Sequence, residues 1–190
     1  MRVVVLYTGC YSLANPLLTS LLNSSIESSF MGDYRRSTRE CNFDRLQPEI
    51  VAALRVHAQR YELGDIEREA LICCETTNER IKKPGFFDRL IGGDLDRVHV
   101  VGIIVTPRYL LWARSGAKYG VAVLSARLRE CEVLDYANTP QAQLVPDTGL
   151  EVTAMYTGAT HRGQTFIGLG PEPAAQNLRQ VLKEAMQQAQ

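Results

Sequence analysis

The sequence has no run of about 20 apolar residues, which is the length that a membrane-spanning helix needs. Its charges balance, with 21 basic and 21 acidic side chains, so an overall electrostatic attraction for nucleic acid is excluded. Motifs of several enzyme classes are also missing, since no G-x-S-x-G, H-E-x-x-H or G-x-x-x-x-G-K occurs. We therefore predict a protein with no transmembrane segment, no nucleic-acid partner and no enzymatic activity. An enzyme with an unrecognised site is the alternative.

Cysteine pairs with metal-ligand spacing are missing as well. The five cysteines form no C-x-x-C, and their odd number is typical of reduced thiols in the cytoplasm, where disulfides are rare. The histidines, His57, His99 and His161, are far apart in sequence and share no ligand spacing with the cysteines. Because zinc needs four converging ligands, we predict no metal site and no cofactor. We expect a cytoplasmic protein.

Residues 1–45 differ from the rest of the chain. They include the Ser/Asn-rich stretch TSLLNSSIESSFMGDYRRST, which shows little sustained periodicity. Such a segment buries too little apolar surface to offset the entropy of ordering it. We predict a poorly structured N-terminal extension over residues 1–45, of which residues 1–30 are dispensable for folding.

A helix is predicted over residues 46–64. Ile50, Leu54 and Ala58 recur at helical spacing, and Pro48 suits the first turn, where its missing N–H costs nothing. Gly64 is suited to ending the helix.

From residue 67 onward the periodicity changes from helical to two, and short β-type segments follow one another. Consecutive strands without intervening helices predict an antiparallel sheet, because parallel neighbours need long crossovers. The C-terminal stretch EPAAQNLRQVLKEAMQQA has an apolar stripe and predicts an amphipathic helix. The predicted fold is α+β and mainly β: a seven-stranded, partly open antiparallel barrel capped by this helix. The seven segments are EALICCETTNER, VHVVGIIVTP, RYLLWARS, GVAVLSARL, ECEVLDY, LEVTAMYT and QTFIGLG.

Two local patterns, VTPRYLLWARSG and VLSARLRECEV, accompany this order of elements. With them, residues 67–190 resemble the pleckstrin-homology-like (PH-like) superfold, in particular its bacterial members. In those members a Val/Leu-Thr step, a basic residue and a Leu-Leu strand precede a strand that ends in Leu-Ser-x-x-Leu. The resemblance implies a fold; function on so widely reused a fold must be argued from the site. The matching positions are Val105, Thr106, Arg108, Leu110, Leu111, Leu124, Ser125 and Leu128.

The only tryptophan, Trp112, lies in the middle of the third predicted strand. Because side chains alternate along a strand, Trp112 shares one face with Leu110 and Arg114. We predict that this face is turned to the barrel interior. An exposed indole would instead make this hairpin a binding surface for a partner.

The loop after the first predicted strand is the strongest candidate site. Its sequence RIKKPGFFDR surrounds two phenylalanines with basic side chains. The resemblance implies that this loop is equivalent to one that, in lipid-binding members of the superfold, binds inositol phosphates through basic residues. Cationic groups attract anionic headgroups, and exposed aromatic rings can insert into the membrane interface. The candidate binding residues are Arg80, Lys82, Lys83, Phe86, Phe87 and Arg89.

Three interpretations of this loop stay open: a solvated rim with the phenylalanines packed on the barrel, contact with a protein partner, or contact with anionic lipid. Thr76, Thr77 and Asn78 stand where the lipid-binding pattern would have further charges. We therefore predict a non-enzymatic PH-like binding module that mediates protein–protein interaction or self-assembly. Peripheral binding to anionic lipid headgroups through residues 80–89 is the alternative.

Overall fold

The computed structural model describes residues 34–81, 96–143 and 147–190. These residues form eight β-strands and two α-helices, joined by turns and short 3-10 segments. The strands are β1 (Tyr34–Glu40), β2 (Ile72–Arg80), β3 (Val98–Val105), β4 (Tyr109–Gly116), β5 (Gly120–Arg127), β6 (Glu132–Asp135), β7 (Gly149–Met155) and β8 (Arg162–Gly168), and the helices are α1 (Pro48–Arg60) and α2 (Pro173–Gln188).

The strands form two antiparallel sheets. Sheet A has the order β1-β2-β3-β4-β5, and sheet B has the order β6-β7-β8. An isolated bridge between Ala126 and Tyr156 links the two sheets, and within the described ranges they do not close into a barrel. The prediction of an α+β, mainly antiparallel β fold is confirmed. The predicted helices are present as α1 and α2.

β1 is a strand that the sequence did not predict. The expectation of a poorly structured segment up to residue 45 is wrong for residues 34–45, where β1 precedes a 3-10 turn over Phe43–Arg45. The described residues therefore contain eight strands, where seven were predicted for the whole chain. β1 has no apolar alternation, and its stability comes from backbone pairing with β2 and from ion pairs such as Arg39–Glu75, at 2.7 Å. The predicted dispensable segment, residues 1–30, lies outside the described residues.

Thr38 fixes β1 in place through three hydrogen bonds. Its hydroxyl is 2.8 Å from the Thr76 hydroxyl on β2 and accepts the backbone N–H of Gly170, also at 2.8 Å. Its own backbone N–H donates to Glu172 Oε2 at 2.8 Å. β1 therefore joins the edge of sheet A to the segment that leads into α2.

Sheet A is buried on both faces. Its inner face packs against sheet B and α2, and its outer face packs against α1. β3 and β4 read as nearly continuous apolar runs for this reason, as is typical of strands covered on both sides. The molecule therefore has three layers: α1, sheet A, and sheet B with α2.

The outer layer depends on a glycine and a carboxylate. A Cβ at Gly102 of β3 would lie 2.7 Å from Ile50 Cγ2, so the absence of a side chain lets α1 approach the sheet closely. Glu75 of β2 accepts the Gln47 backbone N–H at 2.8 Å, immediately before α1 begins. A carboxylate at this position satisfies a free backbone donor and is favoured by the helix dipole.

The inner layer contains Trp112. Its side chain is 5% exposed, lies in the inner core and meets Tyr156 edge-on at 5.6 Å between ring centroids. The predicted inward orientation is confirmed. The opposite face of β4 is also buried, because Leu111 and Ala113 pack under α1.

α2 completes the inner core with its apolar stripe, of which Leu178, Leu182 and Ala185 are buried. This agrees with the prediction that the terminal helix covers the sheet. Neither helix in the described part of the chain is long and apolar enough to cross a bilayer.

Candidate functional site

The inner face of sheet A changes character along its strands. Near α2 it is apolar, with Cys74, Ile103 and Trp112 in the core. At the opposite end of the same strands it carries polar and basic side chains, which we call the polar end. Strand register places these side chains in adjacent rows, so they form one surface. The polar end consists of Tyr34, Arg36, Asn78, Arg80, His99 and Arg114.

Arg36 is the central cation of the polar end. Its side chain is only 7% exposed, and its Nη2 donates to Asp147 Oδ2 at 2.8 Å. The guanidinium carbon lies 5.0 Å from the Tyr34 ring centroid and 5.4 Å from that of Phe166, both at cation–π distance. Burial lowers the pKa of Arg36 and the Asp147 charge opposes that shift. The group stays charged, because the ordinary pKa of arginine is far above neutrality.

Two nitrogens of Arg36 have unused donors. Among the described residues, neither Nε nor Nη1 has a hydrogen-bond partner, although both are buried. The guanidinium lies against the main chain at Gly168, where a Cβ would collide with Nε. Leaving a buried donor unsatisfied costs about 1–3 kcal/mol. An acceptor brought by a binding partner would recover part of that free energy.

A second charge pair joins the buried carboxylate of Asp96 to the partly buried Arg114. Asp96 is 1% exposed at its side chain and lies 3.7 Å from Arg114 Nη2. Its Oδ1 accepts the backbone N–H of Lys118 at 2.9 Å, which ties the start of β3 to the β4–β5 turn. A side chain at Gly116 would collide with this carboxylate. Each cation of these two pairs therefore has its own carboxylate.

The structure places one residue of the predicted loop site at the polar end. Arg80 is the last residue of β2 and is half-buried, with its guanidinium 5.9 Å from the Tyr34 ring. Its backbone N–H donates to the Arg97 carbonyl at 2.7 Å. The other members of that prediction, Lys82, Lys83, Phe86, Phe87 and Arg89, lie outside the described residues. Their role stays a prediction.

Sequence reasoning missed Arg36 and Asp147. Arg36 lies in β1, within the segment that was expected to be poorly structured. Asp147 follows β6 by a long connection, so nothing in the sequence brings it near residue 36. Tyr34, Arg36 and Thr38 alternate along β1 with more exposed residues. Had β1 been recognised as a strand, this spacing would have placed Arg36 on its inner face.

A serine–histidine pair lies on the outer face of sheet A. His57 Nε2 of α1 lies 2.8 Å from Ser125 Oγ of β5, and Ser125 donates to Thr157 Oγ1 at 2.8 Å. Because the serine hydroxyl has one proton and gives it to Thr157, His57 must donate to Ser125. Ser125 is also 0% exposed. The arrangement links α1 to sheet A through a buried hydroxyl.

The thiols of Cys74 and Cys131 have low reactivity. Burial raises the pKa of Cys74 to about 12 and that of Cys131 to about 11. A thiol with so high a pKa is almost entirely protonated near neutral pH, and the thiolate is the metal ligand and nucleophile. In the part of the chain that the structure describes, no three His, Cys, Asp or Glu side chains converge to hold a metal ion.

Comparison with known proteins gave no relative: no family model, no curated protein and no solved structure matches the chain.

Proposed function

We propose that this chain is a cytoplasmic, non-enzymatic PH-like binding module that engages a protein partner at the polar end. The observation that carries the proposal is the Arg36 guanidinium, whose Nε and Nη1 are buried without hydrogen-bond partners among the described residues. A partner carboxylate or backbone carbonyl can accept from these donors in a charge-assisted hydrogen bond. Both nitrogens are buried, so a partner group reaches them only when the side chains around Arg36 move aside.

The arrangement of elements supports the PH-like part of the proposal. Four strands of sheet A, β2 to β5, precede the three strands of sheet B, and α2 packs with sheet B against the inner face of sheet A. This is the strand and helix order on which the resemblance rests. β1 and α1 are then additions on the edge and outer face of sheet A. Since a shared fold does not identify a ligand, the partner class is argued from the polar end.

A filled interior favours a binding module over an enzyme. The space between the two sheets and α2 is occupied by apolar side chains, among them Ile103, Leu110 and Leu178, each at most 1% exposed. Small-molecule sites are usually concave pockets lined by a few polar groups. Binding is therefore expected at the rim of the sheets, where the polar end lies.

Charge balance favours a protein partner over a membrane. Arg36 is paired with Asp147, and Arg114 is paired with Asp96. Anionic membranes attract clusters of uncompensated basic groups, each worth about 1 kcal/mol. Paired and buried charges instead suit a few directed contacts, which give specificity between proteins.

Arg36→Lys tests the proposal, because lysine retains the charge beside Asp147 but lacks the planar fork of donors. Affinity purification of tagged wild type and variant from the source cells, with quantitative mass spectrometry, identifies partners that depend on Arg36. Calorimetric titration with the purified partner then measures affinity. We expect at least about a tenfold loss, equivalent to 1.4 kcal/mol. Arg162→Lys, in an exposed ion pair with Glu132, is the matched control.

Equal partner affinity of wild type and Arg36→Lys would overturn the proposal, provided that thermal unfolding shows both folded. Two further measurements separate the remaining alternatives. Light scattering of the free chain detects self-association, which would identify the partner as a second copy. Sedimentation with phosphatidylserine vesicles that fades with salt and is abolished by Lys82→Glu/Lys83→Glu would replace the proposal with lipid binding.

A further inference from the structure

Two cysteines face each other across the β1–β2 ladder. The last pair of that ladder is Glu40 with Cys74, and the next step places Cys41 opposite Cys73. The Cys41 backbone N–H donates to the Cys73 carbonyl at 3.0 Å. Directly opposed residues joined by such a bond have Cα atoms about 5.5 Å apart. Disulfides span Cα separations of about 4.4–6.8 Å, so the Cα spacing expected of this pair lies within their range.

Both side chains lie on the outer face of sheet A. Cys73 is part of the outer core and 5% exposed, whereas Cys41 packs at its margin and is half-buried. Burial raises the pKa of the Cys41 thiol, while Arg39 and a hydrogen bond from Cys73 oppose that shift. Burial raises the pKa of Cys73 strongly. Cys41 is thus the more accessible and more readily ionised thiol of the pair.

The other described cysteines are placed apart from this pair. Cys74 points to the inner face, where its Sγ lies 3.9 Å from the Ala174 carbonyl oxygen. Cys131 donates to the Arg127 carbonyl at 3.2 Å. Strand alternation therefore separates Cys73 from its neighbour Cys74. Cys74 and Cys131 therefore serve as controls, because they are cysteines of the same chain that lie apart from this pair.

We propose that Cys41 and Cys73 form a reversible disulfide when the protein meets a low-molecular-weight disulfide such as oxidised glutathione. The Cys41 thiolate attacks one glutathione sulfur, which forms a mixed disulfide and releases one glutathione thiolate. Cys73 then loses its proton and attacks Cys41 Sγ, which releases the second glutathione. Two protein thiols lose two electrons in total, and one glutathione disulfide is reduced to two thiols.

The disulfide would enclose the outer layer. The loop between Cys41 and Cys73 contains the 3-10 turn, the whole of α1 and the connection to β2. Closing this loop reduces the freedom of the unfolded chain and prevents α1 from separating widely from sheet A. Oxidation would thus stabilise the outer layer and leave the inner core unchanged. Cytoplasmic disulfides, where they occur, are commonly transient and redox-sensing.

Peptide mapping under non-reducing conditions tests the inference on the full chain. Trypsin places Cys41 in peptide 40–45 and both Cys73 and Cys74 in peptide 69–80. The experiment therefore uses a Cys10→Ser/Cys74→Ser/Cys131→Ser variant beside wild type, each treated with oxidised glutathione. We expect the two peptides to be linked in both proteins and separated by reduction. We also expect the melting temperature of the oxidised triple variant to exceed that of its reduced form by about 5–10 °C.

Cys41→Ser is the matched variant that cannot form the disulfide. It changes a half-buried position by one atom and is expected to fold. In that variant the linked peptides and the rise in melting temperature should both disappear. A mixed disulfide that persists at Cys41, a link from Cys41 to a cysteine other than Cys73, or a covalent dimer in place of the internal link would overturn the inference.

Discussion

The two faces of sheet A are built from the same strands but differ in what they bury. The outer face is apolar where α1 covers it, and its deepest residues include Ile104, Leu111 and Ala113. The inner face is apolar near α2, yet it also contains the buried charges of Arg36 and Asp96. Buried charges are expensive unless they are paired. The comparison indicates that covering both faces stabilises the sheet, while the buried Arg36–Asp147 pair on the inner face lies outside that apolar packing.

Replacing Trp112 tests the apolar part of the inner face and should have the largest effect. Trp112→Ala removes a side chain that is 5% exposed, so we expect a loss of about 3–5 kcal/mol in the free energy of unfolding. Urea denaturation followed by circular dichroism measures it. Val56→Ala is the control, because Val56 is 65% exposed and its loss should cost less than about 0.5 kcal/mol. A small loss of stability in Trp112→Ala would contradict the placement of Trp112 in the inner core.

Replacing Arg36 tests the polar part of the same face. Arg36→Met keeps most of the side-chain volume but leaves Asp147 without its cation, so we expect a loss of about 3 kcal/mol. Arg36→Met/Asp147→Leu should recover most of it, because neither charge is then left unpaired. Thermal or urea unfolding of both single variants and the double variant completes the cycle. If the stability losses of the two single variants simply add in the double variant, the Arg36–Asp147 pair does not contribute to stability as its geometry indicates.

The close approach of α1 at Gly102 is the corresponding test of the outer face. Gly102→Ala places a methyl group 2.7 Å from Ile50 Cγ2, and we expect overpacking to cost about 2 kcal/mol. Ile50→Ala creates room, so the double variant should lose less than the two single variants combined. Denaturant unfolding gives all three values. Gly120→Ala is an unsuitable control because φ there is +65°; Ala122→Gly, on the exposed part of β5, serves instead.

Protonation of His57 should have the smallest effect. Burial, and to a lesser extent Arg60, lowers the pKa of His57, so the folded state favours the neutral ring that bonds Ser125. The unfolded chain then binds protons more readily, and stability falls as the pH drops below about 6.5, the ordinary histidine value, through the lower folded value. Because the ring is half-exposed, we expect a loss below about 1 kcal/mol.

The free energy of unfolding, measured between pH 7.5 and pH 5, checks the predicted loss of stability. His57→Gln can still reach Ser125 but does not titrate, so its stability should vary less over that range. An identical pH dependence in wild type and His57→Gln would show that other groups are responsible.

The predictable part of the fold was the part with apolar periodicity. The apolar stripes of α1 and α2 predicted the two helices, and the alternation along β2 to β8 predicted seven strands. Both patterns follow directly from burial. β1 was missed because its strand pairing is stabilised by backbone bonds and by ion pairs such as Arg39–Glu75, which leave no periodic signal. The same is true of the site. Arg80 could be proposed from local composition, whereas the Arg36–Asp147 pair depends on a contact across 111 positions of sequence.

The bonds of Thr38 set an order for folding during synthesis. β1 leaves the ribosome before every other described element, yet two of the three bonds of Thr38 are made to Gly170 and Glu172, near the end of the chain. At a synthesis rate of roughly 5–20 residues per second, β1 waits several seconds for those partners. Among the described strands, the first to emerge is therefore among the last to be fully bonded, and a chain cut short before Gly170 would leave β1 paired with β2 but without its bonds to the segment that leads into α2.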